Sequence, residues 1–326
     1  MTEVGRPETP DPAGRTVPRT PDATPATVAA ARGEAQCHPH HAHRVTVDSA
    51  HGPLAALRAE PDEDAAAAGA PATALLLPGY SGSKEDFAPL IDAIAAGGIG
   101  VLAVDLPGQY ESPGPEAESE HRPAALGPVV AGIVAAEAAG GRRVLLLGHS
   151  YGGLVARATL LAGAPVAGLT LMDSGPGELP MGRRRTTLDV LEPVLRRRGV
   201  EAVVELRDAS GEWSSTDPQV LALLRERLRR SSAAALLGMG DALRAEPDRT
   251  AELVAAVRAR RVPTLVVCGI DDDAWPVSVQ RSMADRLEAE FAAVPGAAHA
   301  PNVENPPALL DVIVPTWRTW LRDQLG

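Results

Sequence analysis

The chain has 326 residues, 45% of them hydrophobic and only 3% aromatic, with a formal net charge of −11. That length suits one large α/β domain carrying an insertion, with a core of Ala, Val and Leu rather than rings. The acidity disfavours phosphate backbones and anionic lipid, so neither nucleic acid nor a membrane surface is expected as a partner.

Residues 1–43 are rich in Pro, Thr and charge and poor in bulky apolar side chains. Such a segment cannot bury enough surface to offset its ordering entropy, so a disordered tail is expected. It contains no apolar h-region of a secretory signal, and no stretch of the chain approaches the ~20 apolar residues of a membrane helix. The tail closes on Cys37-His38-Pro39-His40-His41-Ala42-His43. These are transition-metal ligand types, but a structural site needs ligands held by a fold, so no metal is expected there. The second cysteine, Cys268, sits in an apolar run. A disulfide between a tail and a core strand is not expected, which suits a reducing, cytoplasmic setting.

From residue 44 the texture is that of a folded domain. Arg44–Val47 and Leu54–Leu57 flank His51-Gly52-Pro53 and predict two strands around a turn. A low-complexity loop covers 61–71. Apolar runs then alternate with helical periodicity. Leu75–Leu77 is followed by Phe87, Leu90, Ile91 and Ile94 at helix spacing. Val101–Val104 precedes a helix over 129–139, and Val144–Leu147 precedes one over 154–161. Leu169–Met172, Thr264–Cys268 and Phe291–Val294 complete the runs. Continuous apolar strands between amphipathic helices predict a mostly parallel, doubly wound sheet covered on both faces. Between about 176 and 260 the alternation stops, and only helical patches remain. That stretch is expected to be a helical cap over the sheet, its arginine runs at 183–185 and 196–198 being solvated faces.

Gly148-His149-Ser150-Tyr151-Gly152 matches G-x-S-x-G. The pattern alone is weak in a glycine-rich chain. A strand immediately before it and a helix immediately after it are the context the motif requires. The serine then sits on a sharp turn that lifts its hydroxyl clear of the sheet, and only small residues fit two positions to either side. Ser150 is the expected nucleophile. It needs a base, and the base needs an orienting carboxylate. The chain order associated with this elbow is Ser, then Asp or Glu, then His. His299 is the only histidine after Ser150 and lies in a loop following the last apolar run. The acid is sought among Asp271, Asp272 and Asp273, after the Thr264–Cys268 strand, with Asp173 after Leu169–Met172 as a rival. Two backbone N–H donors are expected to hold the oxyanion: that of Tyr151, and that of Tyr80 in the loop Pro78–Ser83, with Ser81 as the close alternative.

Together these residues resemble the α/β-hydrolase superfamily, in its single-domain, lid-bearing esterase and peroxidase-like branch. Leu77-Pro78-Gly79-Tyr80, Asp105-Leu106-Pro107-Gly108, the elbow at Ser150, and Gly269 to Asp272 with His299 beyond follow the family's order over about residues 44–326. The resemblance implies an acid three residues after the glycine, which selects Asp272; some relatives carry it at the place of Asp173. Two departures stand out. Pro78 occupies the usual place of a histidine, and Gly108-Gln109-Tyr110-Glu111-Ser112 replaces the common G-x-G-x-S. A serine in the elbow argues against the dehalogenase and epoxide-hydrolase branches, whose alkyl-enzyme ester needs a carboxylate. The resemblance implies a hydrolase of small carboxylic esters that needs no cofactor or metal. Its pocket would be walled by the cap, with Trp213, Met239 and Trp275. A thioesterase, a carbon–carbon bond hydrolase, an acyltransferase or a non-catalytic ligand-binding protein would use the same scaffold.

Overall fold

The computed structural model describes residues 35–61, 71–211 and 213–324. Residues 1–34 of the expected tail and most of the low-complexity loop fall outside these. Ala35–Cys37 forms one 3-10 turn, and His41 reaches Asp92 through both its backbone N–H and its ring Nδ1 at 2.9 Å. Cys37 is exposed, and the tail's histidines do not converge with it on a common point.

The described residues form an eight-stranded sheet: β1 (His43–Val47), β2 (Leu54–Ala59), β3 (Ala72–Leu77), β4 (Gly100–Val104), β5 (Arg143–His149), β6 (Val166–Met172), β7 (Thr264–Gly269) and β8 (Glu290–Val294). The spatial order is β1-β2-β4-β3-β5-β6-β7-β8. β1 pairs β2 and β2 pairs β4 antiparallel; the remaining pairs are parallel. The predicted mostly parallel sheet is therefore present.

Side-chain alternation splits the sheet's apolar residues between two cores. Leu75 and Leu77 of β3 and Val144 and Leu146 of β5 face one side, where α2 (Pro123–Ala139) and α3 (Tyr151–Leu161) pack. Leu76, Leu145 and Leu147 face the other, against α1 (Ala88–Ala96) and Trp317 of the C-terminal α9 (Pro306–Asp323). Both faces are covered, which is why these strands read as unbroken apolar runs.

Between β6 and β7 the chain is helical: α4 (Arg183–Ser210), α5 (Pro218–Arg230), α6 (Ala233–Ala245) and α7 (Thr250–Arg260). α4 breaks at Gly199, whose φ of 76° suits glycine. α6 joins cap to body: Met239 and Ala242 enter the main core, while Leu236 and Leu237 enter a separate cap core with Leu195 and Leu228. Two buried ion pairs fasten the cap, Arg227–Asp86 at 2.6 Å and Arg157–Glu246 at 2.5 Å. Breaking such a pair from one side leaves an uncompensated buried charge, so the cap is not a freely swinging flap. The arginine runs are largely paired at the surface, Arg184 with Asp273 and Arg196 with Glu118 among them. No helix among the described residues is long and apolar enough to cross a membrane.

Candidate active site

The loops at the carboxyl ends of the parallel strands carry the expected site residues, as the topology of open α/β sheets favours. β5 ends at His149 and α3 begins at Tyr151, so Ser150 alone makes the turn, with φ 54° and ψ −119°. A non-glycine residue in that region stores on the order of 1–3 kcal/mol of strain. The turn is held by Ser150 N–H donating to Met172 C=O at 2.8 Å and Gly153 N–H donating to Ser150 C=O at 2.9 Å. Sterics select the flanking glycines. A Cβ on Gly148 would lie 2.2 Å from Gly152 O, and one on Gly152 would lie 2.4 Å from Leu77 O.

Ser150, His299 and Asp272 meet in one relay. Ser150 Oγ lies 2.9 Å from His299 Nε2, and His299 Nδ1 lies 2.8 Å from Asp272 Oδ1. With Nδ1–H facing a carboxylate, Nε2 is left as the acceptor for the serine proton. Asp272 is itself well held, by Ala274 N–H at 2.8 Å and by Gln280 Nε2 at 2.6 Å. Its neighbours Asp271 and Asp273 are exposed, and Asp273 is spent on Arg184. The rival Asp173 is fully buried close by. Its Oδ1 accepts from Gly269 N–H at 2.9 Å, and its Oδ2 has no partner. Burial, then the charge of Asp272, push the Asp173 carboxyl well above the usual carboxylate range, which favours its protonated form.

His149 braces the relay from behind. Its Nε2–H donates to the backbone carbonyl of His299 at 2.7 Å, and the two rings lie 5.3 Å apart. Burial, then the charge of His299, push His149 down to about 4, so it is neutral at ordinary pH.

Tyr151 is the first residue of α3, so its N–H is one of the first-turn donors with no intrahelical acceptor. Its buried side chain is anchored by a hydroxyl donating to His121 C=O. Tyr80 and Ser81 follow β3 in a loop pressed on the elbow: a Cβ on Gly79 would lie 3.1 Å from Ser150 Cβ. Ser81 takes φ 52°. The Tyr80 ring faces Gly240 of the cap and helps line a narrow cavity with Leu188, Leu191, Leu195 and Leu237. The cavity wall is mostly leucine, and Trp213, Met239 and Trp275, expected to line the pocket, are not among the residues that line this cavity. Trp213 packs on the same cap core and stacks with Arg207, which lines the cavity, and with Arg225, while Trp275 is buried beside His299, 6.2 Å between ring centroids. Met239 is buried against Gln109.

Three participants carried no sequence signal strong enough to select them. His149 is the free position of the elbow motif, Gln109 lies in the loop after β4, and Gln280 lies a turn into α8 (Val277–Leu287). Among the described residues, Asp173, Asp272 and His299 are the one group of three potential metal ligands that converge. Asp272 and His299 spend their facing atoms on each other.

A family model described as "Alpha/beta hydrolase family" matches residues 74–312. A search of curated proteins finds no match. Solved structures with the same fold include a thermophilic esterase from Thermogutta terrifontis, 21% identical, covering 86% of this chain and 98% of its own, with a TM-score of 0.61. An N-acyl homoserine lactonase is 18% identical, covering 86% and 99%, at 0.65. A structure reported with carboxylesterases of the thaumarchaeon Nitrososphaera gargenis is 17% identical, covering 86% and 100%, at 0.66.

Proposed function

This chain belongs to the alpha/beta hydrolase family and is a hydrolase, and from that premise we propose that it cleaves small carboxylic esters through an acyl-enzyme on Ser150. The observation that carries the reading is the unbroken relay, 2.9 Å from Ser150 Oγ to His299 Nε2 and 2.8 Å from His299 Nδ1 to Asp272 Oδ1. His299 takes the Ser150 proton as the oxygen attacks the acyl carbonyl, and Asp272 fixes the tautomer and stabilises the imidazolium. The Tyr80 and Tyr151 N–H groups receive the oxyanion. The imidazolium returns its proton to the leaving alcohol. Water, deprotonated by His299, then attacks the acyl-enzyme and releases the acid. Every proton transfer in this cycle is met by a side chain of the relay, without a metal or organic cofactor.

The cavity beside Tyr80 is narrow, about 20 Å³, and lined by leucines with Glu192, Arg207 and Arg244; its leucine side is where a short apolar acyl group would be recognised. Thioesters, carbon–carbon bonds and acyl transfer would run on the same relay. A panel of p-nitrophenyl esters, acyl thioesters, lactones (which are internal esters) and a 1,5-diketone, run with and without an added alcohol acceptor, separates them. The reading itself is tested with a fluorophosphonate: one equivalent should attach to folded wild-type protein and none to Ser150→Ala. Folded wild-type protein that takes up no label would sink it.

A further inference from the structure

The loop that carries Tyr80 lacks one means of support. Pro78 precedes Gly79, and proline offers neither a backbone N–H nor a polar side chain. The buried Gln109, from the loop after β4, reaches across instead. Its Nε2 donates to the Gly79 carbonyl at 2.8 Å, while its Oε1 accepts from Leu106 N–H at 3.1 Å. The second bond fixes the amide's orientation, because a flipped amide would set oxygen against the Gly79 oxygen and nitrogen against the Leu106 N–H. Gly82 N–H donates to the same Gly79 carbonyl at 3.0 Å, so both acceptor sites of that oxygen are taken.

The Gly79 carbonyl and the Tyr80 N–H belong to one peptide unit. None of the described peptide bonds is cis, so the two groups point in opposite directions. Whatever fixes the carbonyl fixes the aim of the N–H. Met239 of α6 closes on the Gln109 amide from the cap side, with Sδ 3.8 Å from Nε2.

We propose that Gln109 is a positioning residue that aims the Tyr80 N–H at the developing oxyanion by clamping the Gly79 carbonyl, with the cap residue Met239 holding the clamp shut. The assignment rests on Ser150 being the nucleophile. Gln109 touches no reacting atom. It acts through the peptide it holds, so its loss weakens the transition state and leaves ground-state binding nearly intact.

The test uses Gln109→Glu and Gln109→Met in the full chain. Glu keeps the acceptor for Leu106 but exchanges the N–H donor for a carboxyl group that either repels the Gly79 carbonyl as an anion or donates an O–H to it when protonated, so the two states separate in a pH profile; Met removes donor and acceptor at similar volume and is the deciding variant. Thermal melting reports folding, and fluorophosphonate titration counts competent Ser150 sites, so kcat is expressed per site. Removing an oxyanion donor outright costs about 100- to 1,000-fold in kcat; mis-aiming one should cost about 10- to 100-fold, with KM within about threefold. Affinity for a boronic acid, whose tetrahedral adduct puts an oxygen in the same hole, should fall by a similar factor. If wild type is labelled and turns over but Gln109→Met matches its kcat per site, or loses activity only through KM, the Gln109 assignment is wrong and the Ser150 reading stands. If folded wild type is not labelled, both fall together.

Discussion

Asp173 and Asp272, set beside each other by the neighbouring strands β6 and β7, bring carboxyl oxygens within 4.8 Å of one another and of a His299 ring nitrogen. Two carboxylates that close and buried do not both ionise. Asp272 accepts from Ala274 N–H, Gln280 and His299, while Asp173 accepts only from Gly269 N–H. The hydrogen bonds therefore favour the proton on Asp173, in agreement with the upward push on its carboxyl. Asp173→Asn copies a neutral acid: its amide oxygen keeps the Gly269 bond. It should retain kcat within about threefold, whereas Asp272→Asn, which removes the orienting charge and the correct tautomer, should lose on the order of 10³- to 10⁴-fold. Steady-state kinetics on one activated ester decides it, and the opposite ranking would transfer the acid's role to Asp173.

His149 gives a pH dependence whose sign is fixed. In the folded protein it stays neutral down to about 4; unfolded, it takes a proton near its ordinary value of 6.5. Between those values the unfolded state binds the extra proton, so this group's contribution to stability is full above pH 7 and falls as the pH drops towards 4. The difference of 2.5 units corresponds to about 3 kcal/mol. Asp105 works in the opposite sense, since burial raises it to about 6 and the folded state takes its proton first. That contribution is common to wild type and a His149→Gln variant and cancels in their difference. Urea denaturation at pH 8 and at pH 4.5 should show the wild-type advantage shrinking by up to about 3 kcal/mol at the lower pH. A difference that stays flat would mean that His149 takes up protons equally in both states.

The sheet, Ser150 and His299 were legible in the sequence because each leaves a local mark, whereas Asp272 was singled out among its neighbours only by the family resemblance. Runs such as Val144–Leu147 stay apolar since both sheet faces are covered. Ser150 is hemmed in by glycines that contact geometry demands, and His299 has no competitor downstream. The supports were illegible for an equally physical reason. Gln109 lies 30 positions from the carbonyl it holds, and His149 lies 150 from the carbonyl it braces. No periodicity encodes such contacts. The aromatic size of Trp213 suggests a pocket wall; its ring stacks with Arg207, which lines the cavity, and with Arg225.

The glycines of the elbow and the glycine of a surface helix should respond oppositely to the same change. Gly152→Ala would drive a methyl to 2.4 Å from Leu77 O and 2.6 Å from Pro78 O, both backbone atoms that cannot give way cheaply. The strand, the elbow and the Tyr80 loop would have to part. Loss of more than about 3 kcal/mol, or insoluble protein, is expected together with loss of labelling at Ser150. Gly132, exposed in α2, meets nothing within 4 Å. Gly132→Ala should stabilise by about 0.5–1 kcal/mol through a less flexible unfolded chain and better helix propensity. Thermal melts of the two variants beside wild type check both signs.

The cap cavity predicts how acyl length is read. Leu191, on α4, lines the cavity beside Tyr80 and is only partly buried, so trimming it creates less strain than trimming Leu236 or Leu237, which line the same cavity but are buried. Leu191→Ala frees room for about two to three methylene groups, each worth ~0.8 kcal/mol when buried. Part of that is offset by ordering the longer chain and by incomplete filling of the new space. The ratio of kcat/KM for an octanoate over a butanoate p-nitrophenyl ester should therefore rise about 5- to 20-fold, with the butanoate value itself little changed. Leu191→Phe, which fills the same space, should lower the ratio. If neither variant moves it, the acyl chain lies elsewhere and the leucine cavity serves only to pack the cap.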